Sequence, residues 1–464
     1  MTALNGAVQA ISAQENRDCN WLLARFIEAA NLDAVDEDGW LSALRQIVDT
    51  VAVGWAGSTE DGAEQAIELA LLENAAPVSR VWGRAESVSV SQAAFVNGVS
   101  AAALDYDCVH QESLLHPAAV TVPVAMAIGE DIKATGEQIV RAHIIGSEVM
   151  CRISLATPRQ SNWFPASIYG VFGATATAAV LLQLDTDQTL NAMGLALAQT
   201  SGTKQAISER ALAKRYQTAF AARAGVVSAL LAKRGVSAAH QFLDGPAGLF
   251  NLYESGQTEK VVDGLSEKFT FQDTTIKLYP TCLCTHVVIE AMQSLMRTHG
   301  FGKDDVAALK VCITPYMNRI IGGAYEPASN PQVTAQFSAR YAAARTLFSG
   351  GVKLSDIEPE QALDPAIINF AQAIDLTLYD DIDGHIAPCD LSVELNNGQI
   401  LTKHVKNVPS ASHGPNADVV LNEKAMDCLT RGGRPMNDAA AQRVYDRLVN
   451  LRQAGSVDGL FDGV

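Results

Sequence analysis

The chain has little charge, few aromatic side chains and no long uninterrupted apolar run. Charged residues make up 18% of its 464 positions and aromatic residues 6%, against 48% hydrophobic. That balance excludes a disordered chain and favours a compact, core-rich and oligomeric protein. Basic charge is scarce: 34 Lys and Arg stand against 51 Asp and Glu, a net charge of −17. Neither a nucleic acid nor an anionic membrane is the expected partner of such a protein. Apolar stretches such as Gly170 to Leu184 fall short of a membrane span, and the amino-terminus is polar and soon acidic, unlike a signal peptide. The eight cysteines, at 19, 108, 151, 282, 284, 312, 389 and 428, are scattered and make no disulfide framework. A reduced, cytoplasmic protein is the expectation.

At this length more than one core is expected. Residues 1–17 read as a loose polar arm. Helical spacing runs through Trp21–Ala30, Trp40–Trp55 and a segment ending near Asn74 that Thr59 or Asp61 would cap. Arg80–Val90 has some β character, and helix then dominates to about residue 235. Thr135-x-x-Gln138 and Asp185-x-x-Gln188 mark two helix starts. Gly, Ala and Thr over Gly170–Leu182 would let neighbouring backbones come close. Composition changes near residue 266. β-type residues fill Lys268–Lys277, Val306–Ile313 and Ile374–Tyr379, and Asn396-Asn397-Gly398 predicts a hairpin between Leu391–Leu395 and Gln399–His404. Helices are expected at Thr285–Thr298 and Thr334–Phe348. The expected organisation is an all-helical domain over 1–265, an α+β lid over 266–405, and a helical return to the first domain over 406–464 after a loop at Ser410–Pro415.

Chemistry concentrates in Leu104-Asp105-Tyr106-Asp107-Cys108-Val109-His110, followed by His116-Pro117. Two carboxylates and two imidazoles lie between apolar helical runs at Ala93–Leu104 and Ala118–Ile128. A polar cluster between buried helices is costly unless it is satisfied or used, so this stretch reads as a loop at the mouth of a site. Three further clusters matter: Lys214-Arg215 at a junction between helical stretches, the second beginning near Ala219; Lys277 to Cys282, between a strand and a helix holding His286; and Phe337-Ser338-Ala339-Arg340-Tyr341, opening a helix. Cys282-x-Cys284-x-His286 is too tightly spaced for an ordinary zinc site, with no second pair nearby, and reads as packing. Gly170-x-x-Gly173 lacks the strand and Lys-Ser/Thr of a phosphate loop.

An ordered series carries a resemblance: Asn97-Gly98, Asp105-Tyr106-Asp107, His116-Pro117, Gly146-Ser147-Glu148 with Arg152, Gly170-x-x-Gly173-Ala174, Asn191-Ala192-Met193-Gly194, Lys214-Arg215 and Lys277-x-Tyr279-Pro280. From about residue 40 to 430 the chain resembles the MmgE/PrpD family, which includes 2-methylcitrate dehydratase, cis-aconitate decarboxylase and iminodisuccinate epimerase. The resemblance implies a mainly α fold, with a large all-helical domain, a smaller α+β lid and a cleft between them. It also implies a homodimer, and catalysis with no metal or organic cofactor. By position, Asp105, His116, Lys214 and Lys277 match residues lining the family's active site, and Ser338 and Tyr341 match a Ser-Leu-Pro-Tyr element on its lid. The sequence departs from the family where Cys108 and Val109 replace Asp and Thr, Phe164 replaces a His, and Gln217 and Ala219 replace His and Gly.

The resulting expectation is a lyase, dehydratase or decarboxylase in type, acting on a small di- or tricarboxylate by proton transfer next to a carboxylate. His116 is the expected acid–base group, because histidine is the side chain that exchanges protons most readily near neutral pH, and Asp105 its partner or a second base. Lys214 and Lys277 would stabilise carboxylate and enolate charge, and Tyr341 would supply a proton or hydrogen bond. Asp107, His110, Arg215 and Ser338 are expected substrate contacts. The alternatives are an epimerase of an iminodicarboxylate and a non-catalytic carboxylate-binding relative.

Overall fold

Apolar residues on all sides of a helix require burial on all sides, and three such helices form the centre of the first domain. They are Val90–Ala103, Pro117–Ile132 and Gly170–Leu182. Around them pack Glu37–Ala56, Gly136–Leu155, Thr186–Leu197 and the 21-residue Ala213–Lys233. This computed structural model describes residues 18–73, 75–158, 162–409 and 416–464. The polar arm expected over 1–17, the helix end expected near Asn74 and the loop expected over 410–415 lie outside those residues.

Both predicted helix starts form capping boxes: the Gln138 N–H donates to Thr135 Oγ1 at 3.3 Å and the Gln188 N–H to Asp185 Oδ1 at 2.8 Å. Close backbone approach occurs where the small residues predicted it. A Cβ on Gly146 would sit 2.7 Å from Gly173 O, and one on Gly173 would sit 2.9 Å from Gly146 O. Only glycine at both positions lets these two helices touch along their backbones.

The second domain holds a four-stranded sheet in the order Asp375–Leu378, Val306–Ile313, Cys389–Leu395, Ile400–Val405. The first pair is parallel and the other two antiparallel. The hairpin turns at Asn396–Gly398 as expected, with Gly398 at φ 84. Leu283–His299 packs on this sheet, and Val287, Val288, Val311 and Val393 lie in a second core separate from the first. The last helices, Ala417–Leu429 and Asp438–Val449, bring Leu421, Ala425, Val444 and Leu448 back into the first core.

Several local expectations need correction. Over 268–277 only Thr274–Thr275 is strand, because Phe271 turns into the first core and a short 3₁₀ turn at Phe271–Asp273 interrupts the run. The helix expected over 334–348 is two helices, Pro331–Gln336 and Ala339–Ser349, since Ser338 is extended and caps the second. The helix after Lys214 begins at Ala213, not near Ala219. Neither Thr59 nor Asp61 caps Ala63–Leu72; Gly62, at φ 94, precedes it and donates its N–H to Gln65 Oε1 at 2.7 Å. The β character of 80–90 reduces to Ser79–Arg80 paired with Ser87–Val88. Residues 165–182 are long and apolar enough to cross a membrane by length and composition, contrary to the sequence reading, and 89% of that stretch is buried inside the molecule.

Candidate active site

The Val90–Ala103 helix ends at Ala103, and Asp105 follows with φ 48, a left-handed conformation that Asp tolerates better than most residues. Its carboxylate is held between two ammonium groups. Lys214 pairs with Oδ1, and Lys277 Nζ donates to Oδ2 at 2.8 Å and to the Asp105 carbonyl at 2.7 Å. Lys214 comes from the first turn of Ala213–Lys233. Lys277 is brought in by a short antiparallel pairing, Val109–His110 with Thr274–Thr275, which lays the start of the second domain beside the 105–110 loop.

Asp107 and His116 form a second pair, with His116 Nδ1 2.7 Å from Asp107 Oδ2. His116 immediately precedes the Pro117–Ile132 helix, where proline at the first helical position sets the chain direction. Asp107 is fully buried, while the His116 side chain keeps 15% exposure and Lys214 11%. A carboxylate on Nδ1 holds its proton there, leaving Nε2 as the working nitrogen. Nε2 has no hydrogen bond to any described residue. Over Lys214 lies Phe337 of the lid, its ring centre 5.4 Å from Nζ. The lid is fastened there by Arg210 Nη1 donating to Phe337 O at 2.9 Å, and within the lid the Cys282 N–H donates to Gln336 O at 2.9 Å.

Charge in this cluster is strongly coupled. Burial alone would raise the Asp105 carboxyl, but Lys214, Lys277 and His116 outweigh it and hold Asp105 well below the usual carboxylate range. Burial likewise opposes ionisation of Asp107, and His116 overcomes it, with Lys277 and Lys214 adding to the effect. For Lys277 burial acts downward, yet Asp105 and Asp107 raise it above an ordinary lysine. The centre therefore keeps two carboxylates and buried ammonium charge together.

The structure brings Asp105, Asp107, His116, Lys214 and Lys277 into one cluster and reassigns roles within it. The partner of His116 is Asp107, not Asp105. Lys277 is 1% exposed and its ammonium is directed at Asp105, so it holds that carboxylate.

Four other predicted site residues are held elsewhere. His110 is fully buried; Ser113 N–H donates to its Nδ1 at 3.1 Å and its Nε2 meets Thr270 O at 2.9 Å, so its ring ties the loop down. Arg215 donates to Asp61 O and Gln332 Oε1, joining the first domain to the lid. Ser338 is buried and caps the Ala339–Ser349 helix. Tyr341 is fully buried, stacks on Tyr325 at 5.1 Å and donates its hydroxyl to Asp356 O, a lid-core role in place of the expected proton donor. Cys284 and His286 are buried, and burial with the Lys277 charge pushes His286 down to about 3. Of the departures, Phe164 lies in the first core, and Gln217 is buried with neither amide atom hydrogen-bonded among the described residues.

Sequence reasoning missed Asp49 and Lys424. Asp49 sits on the Glu37–Ala56 helix and Lys424 on Ala417–Leu429, both almost fully buried, with Nζ 2.6 Å from Asp49 Oδ1. The available signal was one charged residue within the apolar stripe of each helix.

Two family descriptions cover nearly all of this architecture. MmgE/PrpD N-terminal domain matches residues 22–261 and MmgE/PrpD C-terminal domain matches residues 279–450. Cis-aconitate decarboxylase of Homo sapiens is 26% identical, with 77% of this chain and 76% of the relative aligned. Cis-aconitate decarboxylase of Aspergillus terreus is 25% identical, with 100% and 98% aligned. These relatives are lyases by name. With the helical domain, the lid and the ordered motifs all accounted for, the chain belongs to the MmgE/PrpD family.

Proposed function

We propose that this protein is a lyase that removes CO2 or water from a small di- or tricarboxylate, with His116 as the acid–base group. One observation carries the reading: the Asp107–His116 pair leaves Nε2 unpartnered, on a partly exposed imidazole, beside a buried carboxylate–lysine cluster. Lys214, the more exposed of the two lysines, supplies positive charge for a substrate carboxylate. In a decarboxylation the C–C bond to the departing carboxylate breaks, and its electron pair passes into the remaining conjugated carboxylate. The imidazolium of His116 then delivers a proton from Nε2 to carbon, and CO2 leaves. Asp107 stabilises the imidazolium before the transfer. In a dehydration the same nitrogen removes the α-proton, the C–O bond to the β-hydroxyl breaks as the C=C bond forms, and the imidazolium returns that proton to the departing oxygen, which leaves as water.

The names of the relatives favour cis-aconitate and the decarboxylation branch. The test is proton NMR of the purified protein in D2O with cis-aconitate, citrate, 2-methylcitrate and iminodisuccinate offered separately. Loss of substrate signals with a decarboxylated or dehydrated product supports the lyase. Deuterium uptake at an α-carbon without fragmentation would replace it by an epimerase. Binding without any turnover would leave a carboxylate-binding relative.

A further inference from the structure

Lys424 lies beneath the centre and comes from the Ala417–Leu429 helix, far from it in sequence. Its side chain is 3% exposed. Its ammonium donates to Tyr106 O at 2.8 Å and to Lys277 O at 3.0 Å, and forms an ion pair with Asp49 Oδ1 at 2.6 Å. It also sits 3.7 Å from the centre of the Tyr106 ring. The two carbonyls are well placed to matter. Tyr106 lies between Asp105 and Asp107, and Lys277 is the residue that grips Asp105. Lys424 thus bridges two chain segments whose mutual position sets the Asp105–Lys277 contact. The Tyr106 hydroxyl, donating to Leu278 O at 3.2 Å, closes the same junction from the other side.

We propose that Lys424 is a positioning residue for this centre, holding the 105–107 loop and Lys277 in register through their carbonyls, with Asp49 as its counter-ion. Its catalytic consequence rests on the acid–base reading of Asp107–His116. The competing account makes Lys424 only the charge partner of Asp49. A buried pair exchanged for neutral residues of similar shape is often close to neutral in stability. That separates the two accounts.

Two variants decide it: Asp49→Asn alone, and Asp49→Asn with Lys424→Met. In the single variant Lys424 keeps both carbonyls, and kcat is expected to stay within about threefold of wild type. In the double variant the carbonyls lose their clamp; kcat is expected to fall about a hundredfold with KM within about threefold, as for a displaced catalytic group. Its crystal structure should show the Asp105–Lys277 contact stretched beyond hydrogen-bonding range. A double variant that keeps both kcat and that contact overturns the proposal. Should the methionine variant fail to fold, Asp49→Asn with Lys424→Gln is read by the same criteria. If wild type turns over none of the panel, the lyase reading fails by itself, and the crystal structure of the variant still decides whether Lys424 positions the centre.

Discussion

Two buried charge clusters in this protein come from equally family-like stretches and have opposite characters. In the first, Arg152 pairs with Glu148 at 2.6 Å and donates to the carbonyls of Val261, Asp263, Gly264 and Lys268. Glu148 accepts the Thr270 and Phe271 N–H groups at 2.7 and 3.0 Å. The cluster is closed and sews the 261–271 segment to the Gly136–Leu155 helix. In the second, Asp105 and Lys277 are equally well held, but Asp107 Oδ1 and His116 Nε2 have no partner among the described residues, and the His116 side chain is 15% exposed. Both clusters bear the cost of burying charge. Only the second leaves hydrogen-bonding capacity unused, and unused capacity in a buried site is what a substrate can take up.

The comparison is sharpest for His116. His116→Ala is expected to lower kcat on the true substrate by about a thousandfold, within the usual range for a positioned acid–base group, with the melting temperature nearly unchanged. Turnover together with thermal melting checks this; unchanged turnover removes His116 from the chemistry. Arg152→Met should do the reverse. Leaving Glu148 buried and unpaired is expected to cost about 3–5 kcal/mol of stability by denaturant titration, while the folded fraction keeps its kcat. A large fall in kcat without loss of stability would erase the contrast between the clusters.

Asp105 sets a pH effect. Lys214, Lys277 and His116 overcome the burial penalty and hold its folded-state pKa well below the usual value. An unfolded Asp takes up its proton near pH 3.9, so below about pH 4 the unfolded chain binds more protons and stability falls with falling pH. Asp105→Asn removes that contribution, and the slope of unfolding free energy against pH between about 2 and 4 should flatten. An unaltered slope would mean the carboxylate is not held by its lysines. The smallest effect is expected at Tyr341. Tyr341→Phe loses one buried hydrogen bond, about 1 kcal/mol of stability, with kcat unaltered. A marked fall in kcat would bring the lid tyrosine back to the reacting atoms.

Much of this was legible in advance. Helix starts at Thr135 and Asp185, the hairpin at Asn396–Gly398 and the close contact through Gly173 follow from local rules that act over three or four residues. The cluster members Asp105, Asp107, His116, Lys214 and Lys277 were also picked out, because charged residues beside apolar runs and an ordered series of motifs mark them. Their pairing was not. Asp105 and Asp107 are two residues apart and chemically alike, yet one grips two lysines and the other a histidine. The left-handed turn at Asp105 helps separate their directions, and nothing local announces it.

Tyr341 and Lys424 show the remaining gap from both sides. Tyr341 matched a functional position by order along the chain, but packing against Tyr325 and Asp356 placed it in the lid core. Lys424 lies in none of the ordered motifs, and the return of the last helices to the first domain put it under the active centre. The sequence by itself determined the mainly helical architecture with its α+β lid, and the family, because periodicity, caps and motif order are written residue by residue. Only the tertiary structure decided which carboxylate meets which cation. Such partners can lie far apart in the chain, 375 residues for Asp49 and Lys424, and are joined only when whole helices pack.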